Sequence, residues 1–563
     1  MSDDAPRLGI ALAVALAAAL VFLPALGGQF LAWDDGTTLT GNIAYRGLGP
    51  SQLAWAATTT LMGHYMPLTW LSFALTYVLA GMNPWAYHLG SLLLHALNAG
   101  LVAWLAWTLT RAGLVRAGAA GSGGAEPGAG ADRAALAVGA TVAGLAFGIH
   151  PLRAETVAWA TDRGDVLCGA FYLLALLAYV RAVDAGSLRW RPWGGLALLG
   201  MTAALLSKEI AVTLPAVLLV LDAYPLRRPL SWAARLREKL PFLVLALLGA
   251  AVAVAARAAG ARFSTIEQYG IGARLAMAAY SLWYFVAATV WPAGLAPYHE
   301  PPARIDLLAP RFLAAALAVL ALTALAVLLW RRWPAILAAW AAYVVVLLPV
   351  SGLVHSGSQL VAERYGYLPG AALALLLGGL AAAALRAGRA APRRRLAAVG
   401  LALVLGLALV GWAAVAWRHS ASWHDNFTFW QVSAAADPQC RLCVLNMSAE
   451  YFNTGRFADA EAWARRAVPL WPDRGTPHHR LGAALLAQGR DAEAEAELRE
   501  AIRLAPRLAE AHRELGWLYV RQGKSAEAAT ALREALVLGV PPAEIEALLR
   551  PLESTAPPPR RAP

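Results

Sequence analysis

Charge is what this chain has little of. Only 15% of its 563 residues are Asp, Glu, Lys or Arg, against about a quarter in an ordinary soluble domain, which excludes a single soluble globule. Lysine is scarcer still: Lys208, Lys239 and Lys524 are the three present among 47 basic residues, and the rest are arginines. That bias, beside so much Ala and Gly, reads as codon composition rather than selection for basicity. The arginines lie between apolar runs and not in clusters with aromatic readers on a soluble face, which excludes nucleic acid as a partner. Three cysteines make no disulfide framework. Cys168 lies in an apolar run as a small buried residue. Cys440-Arg-Leu-Cys443 is a lone C-x-x-C with no second pair for zinc and no following His for haem attachment, leaving a local disulfide if the segment faces an oxidising compartment. No G-x-S-x-G, Walker loop, H-E-x-x-H or dinucleotide fingerprint occurs in a fitting context, which argues against soluble nucleotide cofactors.

What is present is apolar: 59% of the chain is hydrophobic. Charge is also unevenly spread. Residues 431–563 hold 17 of the 35 acids and 17 of the 47 bases, so the net +12 belongs entirely to residues 1–430. The first 430 residues therefore read as membrane and the remainder as a soluble module. Runs of about 17–25 apolar residues mark candidate spans, near 8–26, 86–110, 133–149, 163–181, 193–207, 209–224, 240–257, 311–330, 334–350, 366–385 and 397–417. The first reads as a retained helix and not a cleaved signal. With the N-terminus inside, Arg111, Arg116, Arg133, Arg181, Arg189, Arg191 and the Arg227–Lys239 cluster fall on the cytoplasmic side. Arg331, Arg332 and the Arg386–Arg395 run join them only if 275–291 is re-entrant or interfacial. Eleven crossings follow, with the C-terminal module outside. The opposite face then receives 28–85, 150–162, the Ser207-Lys208-Glu209 turn, 258–310 and 351–365.

From about residue 440 the sequence repeats every 34 positions: Ser448, Gly482 and Gly516; Tyr451, Leu485 and Tyr519; Gly455, Gly489 and Gly523; Ala460, Ala494 and Ala528; Ala467, Ala501 and Ala535. Pro472 and Pro506 close the first two units. Small residues where paired helices touch, Gly at the turn and Pro at the end make the tetratricopeptide pattern. Three repeats are about the least that stands alone, spanning 431–550, and such an array offers a concave surface for a peptide or protein, or else a plain anchor. Residues 551–563 are Pro-rich and are expected to be disordered.

Polar residues that are not arginine anchors collect on the outer face. Asp34 and Asp35 follow the first span; adjacent carboxylates above a membrane suit a general base or a divalent cation, or a helix cap. His150, Arg153, Glu155, Arg163 and Asp165 set charge against membrane, where arginine forks suit a phosphate or brace the loops as internal ion pairs. Lys208-Glu209 interrupts an apolar run, either to bind an anionic lipid phosphate or to hold a tight hairpin. Glu363-Arg364 opens another span on the same face. His64, His88, His95, Tyr298, His299 and Glu300 are weaker candidates.

These segments stand in a recognisable order: Asp34-Asp35, "HYMPL" at 64–68, "HPLRAETVAWATDRGDVL" at 150–167, "SKE" at 207–209, "AERYGYLP" at 362–369, then the repeats. The set resembles the transmembrane-and-tetratricopeptide-repeat O-mannosyltransferases and their bacterial relatives, over roughly 25–540. The resemblance implies an all-α fold: a polytopic GT-C-like helical domain over 1–430, then a tetratricopeptide solenoid over 431–550. It implies a glycosyltransferase of the cytoplasmic (inner) membrane that moves a sugar from a polyprenyl phosphate to a protein hydroxyl outside, the repeats recruiting the acceptor on the periplasmic side. By position, Asp34 and Asp35 match the first acidic motif and would supply the base or position the acceptor. His150, Glu155, Arg163 and Asp165 match the second motif, Lys208 and Glu209 the third, and Glu363 and Arg364 the fourth; Arg163, Lys208 and Arg364 would hold the lipid phosphate. No cofactor follows from the resemblance, which leaves a divalent cation open. Two other readings stand beside it: a membrane-anchored repeat scaffold without activity, and a transporter of lipid-linked sugar.

Overall fold

The computed structural model describes residues 4–120, 129–185, 192–260, 268–302, 304–354 and 359–554. Among these the regular elements are all helices, the all-α class expected. Most of the Pro-rich tail, and Arg189 and Arg191, lie outside the described residues. The chain divides into two compact units, Met1–Pro297 with Pro301–Thr428, and Tyr298–Glu300 with Phe429–Pro563.

The first unit is a helical bundle punctuated by proline. Helices begin at Pro50, Pro67, Pro84, Pro192, Pro310, Pro334 and Pro392, where the missing N–H would have no intrahelical partner and the fixed φ suits a first turn. Among the described residues seven helices are long and apolar enough to cross a membrane: Pro84–Val115, Ala160–Asp184, Trp232–Ala259, Ile271–Val290, Pro310–Leu328, Glu363–Ala390 and Arg393–Trp423. Asp132–Gly148 and Pro151–Ala158, bent by 58°, would make an eighth. The eleven expected crossings are not recovered as eleven full-length helices. Ala5–Val21, Pro192–Leu205 and Pro334–Val350 are apolar but shorter, and the expected span 209–224 is a 3-10 turn, Glu209–Thr213, followed by the ten-residue helix Leu214–Ala223. Segment 28–85, expected as an outer loop, also contains an apolar helix that the sequence reading lacked, Pro67–Ala80.

The bundle has two chemically distinct ends. Arg163, Leu214 and Tyr367 each begin helices at the end that carries the acidic motifs. From Tyr367 the helix rises about 29 Å to Arg386 at 1.5 Å per residue, close to the thickness of a bilayer core. The far end therefore carries Arg227, Arg228, Arg331 and Arg386. The Ile271–Val290 helix is of crossing length, yet both its ends touch the acidic end. Arg274 Nη1 donates to Leu353 O (3.1 Å) and His150 Nε2 lies 3.1 Å from Thr289 O. It packs along that end, with Phe285 closing on Gly366.

Inside the bundle, small residues set helix spacing. A Cβ on Gly378 would stand 2.3 Å from Gly139 O, so those two helices touch backbone to backbone, an approach open only to glycine.

The second unit explains the 34-residue columns position by position. Its helix pairs are Arg441–Asn453 with Phe457–Leu470, Gly475–Ala487 with Asp491–Leu504, and Ala509–Arg521 with Ser525–Val537, followed by Pro542–Ser554. Gly455, Gly489 and Gly523 turn between partners with φ of 74°, 78° and 71°, a left-handed conformation that a side chain resists. At the Ser448/Gly482/Gly516 column the paired helices cross: Cβ atoms on Gly482 and Gly516 would meet Leu498 at 2.8 Å and Leu532 at 2.6 Å, while Ser448 fits by donating to Ala460 O (2.8 Å). The alanine columns are buried. Cys440 and Cys443 are joined in a disulfide at the start of the first repeat helix, and Glu300 accepts from Arg441 N at 2.6 Å and Nε at 3.0 Å.

Candidate active site

The site is organised by residues 150–165. Here the bundle has no continuous helix: Pro151–Arg153 and Ala160–Asp162 are 3-10 turns on either side of the single turn Ala154–Ala158. Short turns expose backbone N–H groups and aim side chains in several directions, and each acidic or basic motif from elsewhere in the unit meets one of them.

Asp35 meets the segment at Thr161. Its Oδ1 accepts from Thr161 N (3.1 Å) and from the Thr161 hydroxyl, and its Oδ2 accepts from Leu31 N (2.8 Å). The carboxyl is fully buried. Burial raises its pKa to about 6, against these hydrogen bonds, which act to lower it. Asp35 thus ties the loop after the first helix to the 150–165 segment. Its neighbour Asp34 is half-buried.

Lys208 sits one helical turn further on. After the turn at Ser207 the chain is extended at Lys208, between two helices, which frees the side chain to reach Asp165 (2.8 Å) and Asp162 (3.2 Å). Burial draws the ammonium down, but the Asp165 and Asp162 carboxylates outweigh it and hold Lys208 above its ordinary range. Asp162 Oδ2 is buried without a hydrogen-bond partner. Glu209 turns the other way, 3.0 Å from His64 Nδ1 and paired with Arg257. Burial alone would raise it; His64, Arg257 and Lys208 hold it well below the usual carboxylate range.

The fourth motif closes the ring. Glu155 accepts from Arg364 N (2.8 Å) and pairs with the Arg364 guanidinium, which lies over Trp159 and Tyr365 at 5.3 and 4.9 Å. Glu363 faces His419 Nε2 (2.8 Å), and Trp159 stacks on Trp423 at 5.9 Å. Lys208 and Arg364 keep part of their side chains exposed, 20% and 16%, and both have N–H donors beyond those spent on carboxylates.

Two expected ligand groups are elsewhere. Arg163 is 2% exposed and donates to Ser72 O (3.2 Å), Thr76 Oγ1 (2.7 Å) and Tyr87 O (2.6 Å) over the Phe73 ring. Its donors brace the Pro67–Ala80 helix and the first turn of the helix after it, a structural role in place of the expected open phosphate ligand. His150 is a buried cap: Leu152 N donates to its Nδ1 (3.2 Å), leaving Nε2 for Thr289 O. The residues present do not suit a divalent cation. Asp35 is filled by N–H and O–H donors, and an ammonium already occupies the space between Asp162 and Asp165. Among the described residues no three His, Cys, Asp or Glu are grouped for a metal. Sequence reasoning singled out neither Asp162 as a partner of Lys208 nor Arg257 and His419 as partners of Glu209 and Glu363. Asp162 stood inside a quoted motif; the other two lie at helix ends with no local signal.

A tetratricopeptide repeat family model matches residues 477–508. Among curated proteins, Protein O-mannosyl-transferase TMTC2 of Mus musculus is 34% identical over 181 residues, covering 31% of this chain and 18% of the relative. Tmtc1 of Drosophila melanogaster is 35% identical over 153 residues (27% and 14%), and TMTC1 of Homo sapiens 30% over 241 (39% and 24%). The chain is similar to protein O-mannosyl-transferases. The similarity read from short motifs is thus found again in longer aligned stretches, although the chain spans only 18% of the length of the TMTC2 relatives. Among solved structures, ArnT from Cupriavidus metallidurans bound to undecaprenyl phosphate is 14% identical with a TM-score of 0.34, covering 89% of this chain and 80% of that one, a likeness too slight to carry an argument.

Proposed function

We propose that this chain is an integral-membrane glycosyltransferase of the inner membrane that moves a sugar from a polyprenyl-phosphate donor to a protein hydroxyl on the non-cytoplasmic face. The membrane domain, 1–430, would hold the donor, and the repeats, 431–550, would recruit the acceptor. One observation carries the reading: three sequence-distant motifs converge on a fourth, residues 150–165, bringing partly exposed cations, Lys208 and Arg364, and the carboxylate pair Asp34-Asp35 to one segment. A phosphate leaving group needs fixed positive donors where its charge develops, and a hydroxyl nucleophile needs a nearby base. The acceptor oxygen bonds to the anomeric carbon as the bond from that carbon to the phosphate oxygen breaks. The electron pair leaves on the phosphate, facing Lys208 and Arg364, and the hydroxyl proton passes to a carboxylate. Asp34 is the better base because it is half-buried and reachable while Asp35 is fully enclosed; Asp35 positions the loop that carries it. Asp165, Glu155, Glu209 and Glu363 set the cations and the loop walls, while His150 supports the turn. Repeats beside the membrane raise the local concentration of a bound acceptor.

The test is mass spectrometry of envelope proteins from wild type, a deletion, and Asp34→Asn and Asp35→Asn strains at matched membrane levels. A hexose-mass modification lost from the deletion and from Asp34→Asn is the expected result, and it would identify the acceptor. If the deletion loses it while Asp34→Asn keeps it, Asp34 is not the base. If the deletion keeps every modification, the scaffold reading replaces the transferase.

A further inference from the structure

The far end of the bundle holds a second constellation that the transfer chemistry does not use. It is built around the turn after the Leu214–Ala223 helix. Asp222, fully buried, accepts from the Tyr179 hydroxyl and pairs with Lys239, itself fully buried. Arg228 lies 3.5 Å from the same carboxylate and forks onto Glu238. The backbone is fixed as well: Leu226 N donates to Leu221 O, Arg228 N to Asp222 O (both 3.0 Å), and Arg235 reaches Arg228 O at 2.6 Å. Between these anchored residues stands Arg227, exposed, with φ at 42°. A non-glycine residue there is uncommon and is held by its surroundings. Its guanidinium lies over Tyr224 at 5.6 Å and has no carboxylate partner among the described residues.

Arg227 borders two apolar grooves. One, of about 360 Å³, runs between the Pro84–Ala120, Arg163–Asp184, Leu214–Ala223, Pro334–Leu347 and Tyr367–Ala390 helices and is edged by Arg386. The other, about 590 Å³, lies toward Trp232, Trp330 and Arg331. Val220, Tyr224, Arg227 and Ala338 line both. Arg331 is exposed and rests on Trp330 at 5.3 Å, again without a carboxylate partner among the described residues. Arg386 is already engaged by Asp132 (3.1 Å).

We infer that this end binds a two-chain anionic glycerophospholipid, its phosphate between Arg227 and Arg331 and one acyl chain in each groove. Two apolar grooves meeting at one arginine match a ligand with two tails on one head; a polyprenyl phosphate has one tail and would leave a groove unfilled. Guanidinium forks suit phosphate oxygens, tryptophans suit the headgroup level, and basic residues at a membrane surface attract anionic lipid. Asp222 and Glu238 are balanced by Lys239 and Arg228, so Arg227 and Arg331 leave net positive charge, which favours an anionic over a zwitterionic head. The anchoring network of Asp222, Lys239, Arg228 and Glu238 makes Arg227 a preformed contact.

The inference is tested on the full chain in detergent by native mass spectrometry with dioleoylphosphatidylglycerol, dioleoylphosphatidylcholine, undecaprenyl phosphate and inorganic phosphate. One phosphatidylglycerol per chain is expected, saturating at a concentration at least tenfold below phosphatidylcholine. The double variant Arg227→Ala with Arg331→Ala, and separately Ala338→Phe, which fills the shared wall, should each weaken it at least tenfold. Among the described residues both exposed arginines have a ring contact and no ion pair, so the lipid-free melting temperature should stay put; a fall assigns them to the fold instead and overturns the site. Equal binding of phosphatidylcholine, displacement by undecaprenyl phosphate or by phosphate alone, or retention of phosphatidylglycerol by the double variant would each overturn it too. The catalytic carboxylates are not involved, so this result stands or falls apart from transferase activity.

Discussion

Asp35 shows how much one buried carboxyl can report. Its pKa of about 6 lies above the ordinary 3.8 because burial opposes charge more than the Thr161 and Leu31 donors favour it. Between those two values the folded state holds a proton that the unfolded state has released, so folding stability falls as pH rises through that window and levels off above about 6. The full effect is about 3 kcal/mol for a shift of this size. Asp35→Asn removes the titration while also trading one acceptor oxygen for an amide. The melting temperature of Asp35→Asn minus that of wild type should therefore grow more positive from pH 4 to 6 and stay level from 6 to 8. Thermal unfolding in detergent across that range measures it, and a difference flat with pH would show that Asp35 does not titrate there. The same residue shows what sequence could and could not reveal. Adjacent carboxylates after an apolar run were visible in Asp34-Asp35; which of them is enclosed depends on Thr161, 126 positions away. Arg163 makes the complementary case. An arginine among acidic residues at a span boundary read as a phosphate ligand, but two of its three acceptors are backbone oxygens, of Ser72 and Tyr87, which no side-chain pattern announces.

At the level of the element, legibility tracks periodicity. The repeat columns were readable because each requirement recurs at one spacing: a left-handed turn at Gly455, Gly489 and Gly523, and a close crossing at Ser448, Gly482 and Gly516. Gly516→Val would push a branched side chain into Leu532, where even a Cβ stands 2.6 Å away. Overpacking of this kind costs about 1–3 kcal/mol. Hydrogen exchange of the full chain should show the Ala509–Arg521 and Ser525–Val537 helices losing at least about tenfold protection, as 1.4 kcal/mol implies, with the first helix pair unchanged. Unaltered exchange at Leu532 would mean the crossing yields without cost. The non-periodic elements were harder. The 275–291 stretch has the length and composition of a span, yet what places it is a pair of contacts at its two ends, to Leu353 and His150. The Pro67–Ala80 helix was hidden because its fourteen residues are shorter than a full span, so a length criterion passes over it.

For the molecule as a whole, arginine distribution and disulfide chemistry bear on the same question, which side of the membrane each end faces. Arg227, Arg228, Arg331 and Arg386 gather about 29 Å of helix away from Tyr367, and positive residues favour the cytoplasmic side. On the proposed function, the Asp34–Arg364 site is then the end that faces outside. The Cys440–Cys443 disulfide lies in the repeat unit, and such bonds persist in oxidising compartments and are rare in the cytosol. The two arguments are independent, one resting on translocation and bearing on the candidate site, the other on redox environment and bearing on the repeats; the proposed function requires both to come out on the non-cytoplasmic side. The chain carries its own reporter for this arrangement. Cys168 is a buried free thiol, so cells quenched in acid, denatured and treated with a maleimide should yield one adduct per chain before reduction and three after it. Three adducts without reductant would place Cys440 and Cys443 in a reducing compartment, put the repeats in the cytosol, and separate them from any acceptor bound for an exterior site.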